Sequence, residues 1–93
     1  MQNKKTIIAN WKMNPSTLKE AEKLFSDINK NVSILKKTNV VICPPFIFLE
    51  PLHRLIKAKN YKLKANLGAQ DVFWGDVGAF TGEVSAEMLY SVG

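Results

Sequence analysis

Two short β-branched runs, Ile7-Ile8 and Val40-Val41-Ile42, stand apart from longer stretches in which apolar residues recur every three or four positions. The runs predict strands over residues 5–10 and 39–43, of the kind that parallel sheets bury on both faces. Between them Leu18, Ala21, Leu24, Phe25, Ile28 and Val32 form one apolar stripe at helical spacing. Thr17 followed by Glu20 is a capping box, with Pro15 before it, so the helix opens there. A shorter stripe, Leu52, Leu55 and Ile56, predicts a second helix, in which Pro51 is acceptable only in the opening turn. Residues 63–69 read as a third strand, placed by spacing more than by propensity. A glycine-rich loop over residues 71–82 follows, then a short helix that opens near Ser85 and stops before Gly93. Three βα units in a row require parallel strands joined by right-handed crossovers. A parallel sheet of only three strands keeps two open edges, so the pattern predicts part of a larger α/β fold.

Composition narrows the class. A chain of 93 residues is at most one small domain, burying roughly 60–65% of its unfolded surface. Hydrophobic residues at 46% with 23% charged make it globular. Its longest apolar stretch, residues 40–49, is interrupted by Pro44-Pro45 and is too short to span a bilayer. Only Ile7-Ile8-Ala9 follows the charged amino terminus before polar residues return, so no signal peptide is expected. A lone Cys43 and a lone His53 exclude a disulfide framework and a Cys/His zinc cluster. These features lead us to expect a cytoplasmic protein with no membrane partner. The net charge of +5 invites a polyanion reading. The lysines are nevertheless spread along the chain, with Glu20, Glu22 and Asp27 among them, and no aromatic-plus-glycine pattern for base stacking accompanies them. No nucleic-acid partner is expected.

Few residues remain as carriers of chemistry. Gly75, Gly78 and Gly82 lack the dinucleotide-binding spacing, and no P-loop is present. His53, between Leu52 and Arg54 on a helix, reads as a surface residue rather than part of a triad. Asp71 and Glu83 read as solvated loop carboxylates. The strand-terminal polar residues are what is left: Asn10 and Lys12 after the first strand, Gln70 after the third. Strand alternation would put Asn10 and Lys12 on one face with Thr6 and Ile8, and Trp11 on the other, against the helical layer. An amide beside a cation at the carboxyl end of a strand suits an anionic small molecule, since α/β sheets and barrels collect ligands there. A lysine in a surface loop is the plainer alternative. Cys43-Pro44-Pro45 reads as a rigid turn that starts the second helix.

Four segments in one order carry a resemblance: Asn10-Trp11-Lys12-Met13-Asn14, Cys43-Pro44-Pro45, Gly68-Ala69-Gln70-Asp71, and Gly78-Ala79-Phe80-Thr81-Gly82-Glu83-Val84-Ser85. In order and spacing the chain resembles the triosephosphate isomerase family over essentially its whole length. The resemblance implies a (β/α)8 TIM barrel of which residues 1–93 hold the first three βα units, within a single domain and with no internal boundary. It implies an isomerase of glycolysis and gluconeogenesis that works through an enediolate without metal or organic cofactor. Asn10 and Lys12 would contact the triose phosphate, Lys12 setting its charge against the phosphate and the developing oxyanion. The family's catalytic glutamate and histidine belong to segments beyond these residues, so the chain by itself is expected to be inactive. The family dimerises through the loop matching residues 71–84. Thr81 would enter a pocket on the partner near the position of Met13, with Gln70, Phe80, Gly82 and Glu83 at the same interface. Phe73 and Trp74, aromatic residues in a loop, favour such a surface. An inert interaction module bearing the dimer loop stays open as the alternative reading.

Overall fold

The computed structural model describes residues 4–32, 34–58 and 65–93. Its elements are β1 (Lys5–Asn10), α1 (Leu18–Val32), β2 (Thr38–Cys43), α2 (Phe46–Ala58), β3 (Ala65–Leu67) and α3 (Ala86–Ser91). The strands form one parallel sheet in the order β1-β2-β3. Ile7 lies beside Val40 and Ala9 beside Ile42, while Val40 and Ile42 pair in turn with Ala65 and Leu67. Paired residues of parallel strands share a face, so these six side chains form one face of the sheet. Thr6, Ile8, Asn10, Val41 and Asn66 form the other. The core is built on the first face, where Val40, Ile42 and Ala65 meet Ala21, Phe25 and Val32 of α1 and Phe48, Leu52 and Ile56 of α2.

Local chemistry explains each helix. The Thr17 hydroxyl accepts the Glu20 N–H at 3.2 Å, the half of the expected capping box that fixes the start of α1. Along the stripe Ala21 and Phe25 lose all exposure, whereas Leu18 and Leu24 lie at its margin and stay exposed. Asn29, a buried polar residue on the same helix, accepts the Ala65 N–H at 3.0 Å and so ties α1 to the start of β3. Helix α2 begins at Phe46, directly after the rigid turn, which places Pro51 inside it rather than in its first turn. The proline leaves the Ile47 carbonyl without its helical donor. Ile47 is 76% exposed, so water can satisfy that carbonyl and the cost is contained.

Three further expectations change. Strand β1 is exposed on both faces, with Ile7 at 52% and Ile8 at 65%. Among the described residues β1 pairs only with β2, and α1 packs toward α2 and β3, leaving β1 without a cover. Strand β3 is shorter than expected: its regular part is Ala65–Leu67, and residues 63 and 64 lie outside the described residues. His53 is half-buried instead of fully on the surface, because its ring sits against Gly93 after α3. Among the described residues no helix is long and apolar enough to cross a membrane.

Candidate functional site at the carboxyl ends of the strands

Beyond Asn10 the chain stops being a strand. The Trp11 N–H still donates to the Cys43 carbonyl at 3.0 Å, and its indole packs on the core under the helices, as the parity argument expects. Lys12 then takes a φ of 60°. The left-handed region costs a non-glycine residue roughly 1–2 kcal/mol, so something must hold it there. The Asn10 carboxamide oxygen accepts the Lys12 N–H at 2.8 Å, a local turn of the kind asparagine favours. On its other side the Lys12 carbonyl accepts from Gln70 Nε2 at 2.7 Å. That same nitrogen donates to the Cys43 carbonyl at 2.9 Å. Strand alternation therefore does not set the direction of Lys12; a side-chain-bound turn does.

Gly68 brings the third strand close enough for this contact. Its N–H continues the ladder to the Ile42 carbonyl at 2.9 Å. A Cβ at Gly68 would stand 2.8 Å from Val41 Cγ1 and 3.0 Å from Cys43 Sγ. With no side chain there, the backbone passes directly over the end of β2 and delivers Gln70 to both carbonyls. Burial pushes the Cys43 thiol above its ordinary value, which favours its neutral form.

The electrostatics leave the cation available. Ion pairs among the described residues join Lys23 to Asp27 and Arg54 to Glu50, both along helix surfaces. Lys12 belongs to neither and is exposed at the strand ends. Asn10 commits its oxygen to the turn, and its Nδ2 protons are the part that can face a ligand. Among the described residues no group of three or more His, Cys, Asp or Glu side chains could hold a metal ion.

The loop after β3 is organised from within. Phe73 donates its N–H to the Val84 carbonyl at 2.8 Å and forms an isolated parallel bridge with Ser85, which closes the loop at its base. The Phe73 ring packs on Phe80 at 4.6 Å and on Trp74 at 5.1 Å between centroids. The tip turns where the Glu83 N–H meets the Phe80 carbonyl at 3.1 Å and Gly82 takes a φ of 84°, which a residue without Cβ adopts freely. An aromatic cluster and a closing bridge thus give the loop order within its own chain. Thr81, Gly82 and Glu83 are exposed at this tip, Trp74 is 85% exposed, and Met13 is 90% exposed. Gln70 differs from these: it is half-buried, and its amide donor serves two carbonyls of its own chain.

Consecutive parallel βα units with polar residues gathered at the carboxyl ends of the strands define the class, a parallel α/β fold of the kind that open sheets and barrels share. Comparison with known proteins narrows this further. A family model described as triosephosphate isomerase matches residues 5–93, and the chain belongs to that family. It is 42% identical over 87 residues to the triosephosphate isomerase of Thermoanaerobacter sp. (strain X514), covering 94% of this chain and 33% of the relative. Against the enzyme of Cytophaga hutchinsonii it is 41% identical over 92 residues, covering 97% of this chain and 34% of the relative. The Aquifex aeolicus enzyme is 39% identical over 90 residues, with 97% and 34% covered. The chain thus spans about a third of the length of the curated relatives it matches.

Sequence reasoning found Asn10, Lys12 and Gln70 as strand-terminal polar residues. It missed that Gln70 grips the Lys12 peptide and that Gly68 makes room for it. The only signal for the first was a polar side chain ending a strand; for the second, a glycine just before it.

Proposed function

We propose that this chain carries the amino-terminal site elements of a triosephosphate isomerase, which interconverts D-glyceraldehyde 3-phosphate and dihydroxyacetone phosphate through an enediolate. The observation that carries this reading is the turn at the end of β1. There an exposed lysine, in no ion pair among the described residues, is held in a left-handed conformation by side chains from two different strand ends. In this reading Lys12 places its ammonium against the phosphate and against the oxygen that gains charge in the enediolate. A cation already in place costs no reorganisation when that charge develops, which is where electrostatic catalysis gains most. Asn10 adds an amide donor to the same substrate. The general base and the electrophilic histidine come from outside these residues, and neither metal nor organic cofactor takes part.

The remaining parts of the reading follow from the same membership. Residues 1–93 are one stretch of a single barrel domain, working in the cytoplasm. Met13, Gln70, Phe80, Thr81, Gly82 and Glu83 meet a second copy of the protein, chiefly through the loop of residues 71–84. Support for this lies in the apolar surface displayed there, Met13 and Trp74 above all.

The test uses a complete barrel that contains this chain. Lys12→Met should lower kcat/KM by about 10²–10³, the usual effect of deleting one oxyanion-stabilising group, with an unchanged circular dichroism spectrum. A folded variant with near-normal kcat/KM would remove Lys12 from the mechanism.

A further inference from the structure

We propose that Gln70 is a positioning residue for Lys12, holding the lysine's peptide in its left-handed conformation from the end of β3. The proposal rests on the isomerase reading of Lys12. Left to itself, a lysine at a φ of 60° relaxes toward the extended or right-handed helical region, and its Cα–Cβ direction turns with it. Two side chains oppose that relaxation. Asn10 binds the N–H, but it lies two residues away and belongs to the same turn. Gln70 lies 58 residues away and binds the carbonyl, so it supplies the fixed external anchor. Its second bond, to the Cys43 carbonyl, ties that anchor to the end of β2.

Chemistry settles the orientation of the amide. Both partners are carbonyl oxygens, so only the NH₂ end of the carboxamide can serve them, and each of its two protons has an acceptor. Gln70 thereby transmits the rigidity of two hydrogen-bonded strands to a turn that has no ladder of its own. The consequence is kinetic. A charge displaced by about 1 Å from the developing oxyanion can lose on the order of a hundredfold in rate, without any change in the groups present.

A double-mutant cycle in the complete, active barrel tests this. Gln70→Met keeps the length of the side chain and removes both donors. Alone, it should lower kcat about tenfold to a hundredfold, with sedimentation still reporting the wild-type oligomer. Combined with Lys12→Met, it should cost nothing further in kcat/KM, because its effect runs through the lysine. Gln70→Glu, of the same shape but an acceptor when ionised, provides the same cycle should the methionine variant fail to fold. Losses that multiply in the double mutant, or a folded Gln70 variant with unchanged kcat, overturn the positioning role. A wild-type barrel without isomerase activity would instead overturn the reading of Lys12 on which it rests.

Discussion

Lys12 and Gly68 show two opposite demands on backbone conformation within one site. Lys12 has a side chain in a region of φ that side chains avoid, and it is kept there by hydrogen bonds to its own N–H and carbonyl. Gly68 has no positive φ; it is a glycine because Val41 and Cys43 occupy the space a Cβ would need. Val41 is β-branched and held in a strand, so it cannot simply rotate away. Gly68→Ala should therefore destabilise the complete protein by about 1–3 kcal/mol, the usual cost of forcing one methyl into a packed region. Denaturant unfolding measures it. The loss should be accompanied by lower activity, because pushing β3 away from β2 withdraws Gln70 from both carbonyls. An alanine variant as stable as wild type would mean that the strands separate freely at this point.

Among the elements, α1 is the one whose periodicity was most legible, and burial along it divides sharply. Phe25 is fully buried between sheet and α2, while its neighbour Leu24 is 40% exposed. Phe25→Ala should cost about 3–5 kcal/mol, the range for removing a buried aromatic side chain. Leu24→Ala should cost far less, and paired thermal or denaturant melts compare the two directly. Equal losses would mean that the stripe's margin is covered as well as its centre. Helix α2 and the loop were less legible, for different reasons. Proline reads as a helix breaker, yet Pro51 is accommodated because the carbonyl it deprives belongs to an exposed residue. The loop's ring cluster joins Phe73 and Trp74 to Phe80, and no periodic pattern announces contacts between positions that far apart.

For the molecule as a whole, these 93 residues hold a cation and an amide at the strand ends, and among the described residues no group for acid–base chemistry accompanies them. His53 lies on α2 against Gly93, and Asp71 and Glu83 are exposed in the loop. Each positioned general acid or base is worth about 10²–10⁴ in rate. The 93-residue chain by itself should therefore show no isomerase turnover above background in a coupled assay. Saturable turnover that disappears on Lys12→Met would contradict this. The order of strands and helices, the capped start of α1 and the polar residues at the strand ends were all readable from the chain alone, because periodicity, capping and strand termini are local properties. That β1 stays exposed on both faces, where Lys12 points and what Gln70 holds were decided only in three dimensions. Each depends on a neighbour remote in sequence: the uncovered edge on where α1 packs, the lysine turn on a residue 58 positions away, and that contact on the space left beside β2 by a missing Cβ.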